Sequence, residues 1–141
     1  MLFFRIKKAP KIRKISSLEH LSFRLSWMRG ITEFEIFCEG ETCRVTQYRI
    51  FYSGEKKEKE PERQAKVPTH LVLKALNDCG VGCWNGFSGK HPKGVTDGTM
   101  FSFEATVNGG EEIRAGGSEN FPKGYREWRT ALEEMLGEKN K

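Results

Sequence analysis

Two runs of this chain alternate apolar and polar residues without a break. Leu21, Phe23, Leu25 and Trp27 alternate with Ser22, Arg24 and Ser26, and Phe101, Phe103, Ala105 and Val107 alternate with Ser102, Glu104 and Thr106. Successive side chains on a strand point to opposite faces, so a two-residue period defines one buried face and one solvated face. A helix built on either run would scatter its apolar residues around the axis. Both segments therefore predict strands of a sheet that is covered on one side only.

The punctuation between the runs agrees with this. Gly30 permits a turn, after which Phe34, Ile36 and Cys38 alternate with Glu33 and Glu35. Gly40 separates Cys38 from Cys43, and residues 44–52 resume an extended pattern, so residues 31–52 read as a β-hairpin. Its return strand mixes parities: Val45 and Phe51 share one, Tyr48, Ile50 and Tyr52 the other, which predicts a bulge or a two-sided strand. Asn108-Gly109-Gly110 is a hairpin turn, since Asn and Gly tolerate positive φ, and residues 111–115 return as its partner strand.

Helical spacing occurs twice. Val72, Ala75, Leu76 and Cys79 fall on one face with Leu71 beside them, Pro68 suits the first turn, and Asn77 and Gly80 supply a stop. After Pro122, the residues Tyr125, Trp128, Leu132, Met135 and Leu136 form a second apolar stripe, closed by Gly137. Residues 53–66 carry alternating charges around Pro61 with no apolar face, and read as a solvated loop. The expected architecture is α+β and two-layered. A mainly antiparallel sheet of about five strands carries two helices on one face, in the order β-β-β-α-β-β-α. With 141 residues, of which 10 are Phe, 3 Trp and 3 Tyr, the chain suits one domain over residues 17–137 and a polar tail at 138–141.

Charge is distributed unevenly. The formal charge is +5 and the pI near 9.1, yet residues 1–16 hold Arg5, Lys7, Lys8, Lys11, Arg13 and Lys14 without a single acid. The remainder has 18 bases against 19 acids and is nearly neutral. The basic N-terminal extension is a candidate contact for nucleic-acid phosphates or an anionic membrane surface. The plainer reading is a frayed terminus whose residues 2–6 pair as an edge strand. Too few apolar residues precede the charges for a secretory signal, and no run approaches the roughly 18 apolar residues of a spanning helix. A cytoplasmic location is the accompanying expectation.

The second half resembles a family of small, uncharacterised proteins of Gram-positive anaerobic bacteria. The residues that carry the likeness are Trp84, Gly86 and Phe87, then Asp97, Gly98, Phe101 and Phe103, the turn at Asn108-Gly109, and finally Gly117, Asn120, Phe121, Pro122 and Tyr125. The resemblance covers residues 67–136. It implies an α+β fold and brings no catalytic residue with it. These positions read mainly as architecture: Asp97-Gly98 launches a strand and Phe121-Pro122 fixes the start of a helix. The alternative is a binding cleft between loop 84–98 and loop 116–121, with Trp84, Phe87, Lys90, His91, Lys93, Asp97 and Asn120 as its candidate residues.

Cys38, Cys43, Cys79 and Cys83 are the weak candidates for a metal site, because zinc accepts four thiolates, but neither pair has the usual spacing. Reduced cysteines packing as small hydrophobes is the preferred reading, with a Cys38–Cys43 disulfide across the hairpin if the chain is exported. Cys83, His91 and Asp97 would be the members of a small cysteine-dependent enzyme, and no surrounding signature supports them. Lys90 and Lys93 beside Trp84 and Phe87 would suit a nucleic-acid strand, while burial statistics favour the two aromatics plugging the end of the core. His20 and His70 read as surface residues. No cofactor is expected. The leading functional expectation is a non-enzymatic module that binds another protein, with nucleic-acid binding second and a small enzyme third.

Overall fold

The computed structural model describes residues 10–28, 30–94 and 98–137. Arg5, Lys7, Lys8, Asp97 and the polar tail at 138–141 thus lie outside the described residues. Seven strands form one sheet: β1 (Leu18–Trp27), β2 (Gly30–Glu39), β3 (Thr42–Ser53), β4 (Lys56–Pro68), β5 (Ser88–Gly89), β6 (Met100–Val107) and β7 (Glu111–Ser118). Their spatial order is β4-β3-β2-β1-β6-β7-β5. All pairings are antiparallel except β5 with β7, which is parallel and two residues long. The helices are α1 (Thr69–Asp78) and α2 (Tyr125–Leu136), with a short 3-10 helix at Val81–Trp84.

The α+β class and the antiparallel hairpins match the sequence reading, but the sheet has seven strands rather than five and a different order. The segment read as a solvated loop is β4. It is the outer strand, paired with β3 from Thr42↔Pro68 to Ser53↔Lys56. An edge strand needs no apolar stripe along its whole length, and charged residues and a proline on it discourage pairing with other chains. Pro61 lies beside the register shift between Gln47 and Tyr48, where the ladder tolerates a missing N–H. That shift is the irregularity anticipated in β3. The remaining strand, β5, is too short to leave a periodic signal.

The core lies between the sheet and the helices. β1 is central, flanked by β2 and β6, and its Leu21, Phe23 and Leu25 are buried. The Phe23 ring stands 5.8–6.4 Å from those of Phe34, Phe101, Phe103, Tyr125 and Trp128. Val72 and Leu76 of α1 and Trp128, Leu132 and Leu136 of α2 belong to the same cluster. Leu71, grouped with the apolar face of α1 in the sequence reading, is instead 46% exposed, because it lies one residue round the helix from Val72.

Part of the basic segment belongs to the domain. Ile12 and Ile15 are buried in the core cluster, and residues 10–17 run as a strap across the domain. Three asparagine side chains hold it. Asn77 accepts from the Ile15 N–H at 2.9 Å and donates to the Ile15 carbonyl at 3.0 Å. Asn85 donates to the Pro10 carbonyl at 2.9 Å, and Asn108 accepts from the Ser16 N–H and donates to the Lys14 carbonyl. Such bonds satisfy a strap that has no strand neighbour. Lys11 donates to the carbonyls of Cys83 and Asn85, both at 3.0 Å, so its charge caps the end of the 3-10 helix. The boundary drawn at residue 16 therefore moves towards the N-terminus.

Candidate binding surfaces

The residues assigned to a loop cleft are separated by burial. Trp84 is 1% exposed, stacks edge-on against Phe103 and donates its indole N–H to the Lys123 carbonyl at 2.8 Å. Phe87 is half-buried against Phe101. These two plug the core, the reading burial statistics favoured. His91 is exposed with Nδ1 2.7 Å from Ser118 Oγ, and Asn120 donates to the Lys90 carbonyl at 3.3 Å. Lys90 and Lys93 are exposed. The two loops are pressed together rather than parted: a Cβ on Gly89 would lie 2.5 Å from the Asn120 carbonyl oxygen, and one on Gly117 only 2.3 Å from it. Close backbone contact is what those glycines serve.

The cysteines also separate. Cys38 and Cys43 form a disulfide across the β2–β3 hairpin with Cα atoms 3.9 Å apart, in place of the reduced pair that was preferred. The partners are directly opposite in the ladder, close enough for a bridge. A disulfide persists in oxidising surroundings, which bears on the expected cytoplasmic location. Cys79 is buried, and burial, followed by the nearby charges of Glu127 and Asp78, pushes its thiol pKa up; it is an inert core thiol. Cys83 is exposed. Among the described residues, no three His, Cys, Asp or Glu side chains converge as a metal site would require.

The sheet face away from the helices is the surface with chemistry on it. Ser22, Arg24, Glu33, Glu35, Tyr48 and Lys59 form a network in its centre. Arg24 donates to Glu33 at 3.1 Å, Ser22 at 3.2 Å, and the Lys59 ammonium stands 3.6 Å from Glu33 and 4.4 Å from the centre of the Tyr48 ring. Glu33 is only 5% exposed as a result. Burial alone would raise its pKa. The Arg24 hydrogen bond, the charges of Lys59 and Arg24 and the Ser22 hydroxyl outweigh burial, so the carboxyl sits below its usual range. A lowered folded pKa stabilises the protein above the unfolded value of roughly 4.3, and that contribution is lost as pH falls through the folded pKa. We expect urea midpoints to fall on acidification below pH ~4.5, with Glu33→Gln less stable at neutral pH and showing a flatter acid limb. Parallel pH profiles would contradict this assignment.

At one end of the sheet the polar network gives way to apolar residues. Trp27 and Met28 stand at the β1–β2 turn, Tyr52 on the overhanging end of β3, and Met100 at the start of β6, opposite Ser26. They are 39%, 73%, 62% and 53% exposed. An open depression of about 630 Å³ lies there, lined by Trp27, Met28, Ile31, Ile50 and Tyr52 among others. The sequence reading placed Trp27 on the buried face by parity alone. Trp27 is the last residue of β1, and alternation says nothing about where cover stops. No helix among the described residues is long and apolar enough to cross a membrane. No protein family, curated protein or solved structure matches the chain.

Proposed function

We propose that the chain is a non-enzymatic binding module that docks another protein across the end of the sheet bearing Trp27, Met28, Tyr52 and Met100. The observation that carries this reading is the exposure of four large aromatic and thioether side chains together at one end of the sheet. Aromatic residues and Met are enriched at protein interfaces, and isolated charged side chains are depleted there. Arg49, whose guanidinium lies 4.6 Å from the centre of the Phe51 ring and 2.9 Å from Glu60, adds a flat, ion-paired rim beside the depression. The nucleic-acid reading through the N-terminal extension is weakened by Lys11, whose ammonium is engaged with two backbone carbonyls.

A photo-crosslinking residue placed in turn at Met28, Met100 and the exposed Lys74 of α1 tests this. Protein adducts should form from the first two positions and not from the third. Met28→Asp combined with Tyr52→Asp should weaken the captured interaction at least about tenfold, without moving the urea midpoint, since both side chains are exposed. Equal labelling from all three positions, or none, overturns the reading.

A further inference from the structure

A second surface lies at the opposite end of the same face, beside the disulfide. On the body of the face the basic side chains are matched with acids: Arg24 with Glu33 at 3.1 Å, His20 with Glu35 at 3.3 Å, Lys59 with Glu33 at 3.6 Å, and Arg114 with Glu112 at 3.1 Å. Arg44 and Lys66 break the pattern. They are directly opposite one another in the β3–β4 ladder, both exposed, and neither makes an ion pair among the described residues. Like charges facing each other across a strand pair destabilise it. On the other side of Arg44, its ladder partner in β2 is Phe37, which is 53% exposed where a carboxylate would have neutralised it.

We propose that Phe37, Arg44 and Lys66 form a binding site for a small ligand that joins a planar ring to an anionic group, with a nucleoside monophosphate as the representative chemistry. The ring stacks on the open face of Phe37, whose other neighbour is the His20 ring at 4.5 Å. The anion takes the two unmatched cations, and the Arg44 guanidinium offers the planar, two-pronged geometry suited to a phosphate or carboxylate. An open depression of about 590 Å³ is present there, lined by Phe37, Glu39, Thr42, Arg44 and Lys66. Glu39 sits two residues beyond Phe37, nearer the turn, and pairs with neither cation. Its charge directs the ligand's anion towards Lys66. The Cys38–Cys43 disulfide adjoins the Phe37–Arg44 pair and fixes its register, so the platform is rigid before ligand arrives. This site shares no residue with the protein-docking end of the sheet and stands or falls separately from it.

The experiment is an NMR titration of the full chain with AMP, adenosine and inorganic phosphate. AMP should perturb Phe37, Arg44 and Lys66 saturably and bind at least about tenfold more tightly than phosphate or adenosine alone. Lys66→Glu should abolish that binding while raising the Tm by about 1–3 °C, because it turns an opposed cation pair into an ion pair. Three results would each overturn the proposal. They are no saturable shift at about 10 mM AMP, unchanged AMP affinity in Lys66→Glu, or phosphate binding as tightly as AMP.

Discussion

Replacing Trp128 by Phe is expected to leave stability within about 1 kcal/mol of the parent, whereas the same exchange at Trp84 costs about 2–3 kcal/mol. Both indoles are essentially sealed from water, at 0% and 1% exposure. They differ in what the ring nitrogen meets. Trp84 donates to the Lys123 carbonyl at 2.8 Å, so a phenyl ring there leaves a part-buried acceptor unmatched. Trp128 Nε1 has no hydrogen-bond partner among the described residues and lies among aromatic rings, with Phe23 and Phe103 at 6.4 Å and 6.2 Å. Removing its N–H relieves a buried orphan donor, which offsets the smaller ring. Trp→Ala at either site should cost about 3–5 kcal/mol by opening a cavity. Urea midpoints of the four variants check this, and equal losses from the two Phe exchanges would refute the distinction.

Gly124→Ala should destabilise by about 2–5 kcal/mol, the larger of two glycine effects at helix ends. Gly124 precedes α2 with φ at +90°, and a Cβ there would lie 2.0 Å from the Cys79 carbonyl oxygen and 3.0 Å from its carbon. Both atoms are backbone at the end of α1, so no side-chain rotation relieves the overlap; the two helices must part. Gly137 closes α2 with φ at +62°, and among the described residues a Cβ there meets nothing within 4 Å. Gly137→Ala should therefore cost only the left-handed backbone term, about 1–2 kcal/mol. Thermal midpoints of the pair separate steric closure from conformational preference. A Gly137 variant as damaged as the Gly124 variant would refute the steric account.

What could be read from the residues was whatever a regular period marks. Leu21, Phe23 and Leu25 in β1 and Phe101, Phe103 and Ala105 in β6 identified strands and core face together, and Trp128 and Leu132 did so for α2. β4 could not be read that way. An edge strand is bounded on one side by water, so its Lys and Glu residues reflect protection from foreign strands and mimic a loop. The candidate surfaces were illegible for a related reason. Phe37 and Arg44 are adjacent only through the β2–β3 register, and Arg44 and Lys66 only through β3–β4. Asn77, Asn85 and Asn108 show a third limit: a helix stop, a loop residue and a turn residue in sequence all hold one strap in space.

That strap also orders events as the chain is made. Its partners follow it by 62 residues at Asn77 and by 94 at Asn108. At about 5–20 residues per second, roughly 3–19 s of synthesis separate Ile15 and Lys14 from the side chains that hold them. β1 waits as well, since β2 arrives at once but β6, its other neighbour, begins only at Met100. For that interval the β1–β4 meander leaves β1, the central strand of the finished sheet, as a bare edge, and Leu21, Phe23 and Leu25 lack their neighbours from β6 and α2. A nascent chain of this protein is thus most open to chaperone capture in the middle of its synthesis, and the last hairpin and helix end that exposure together.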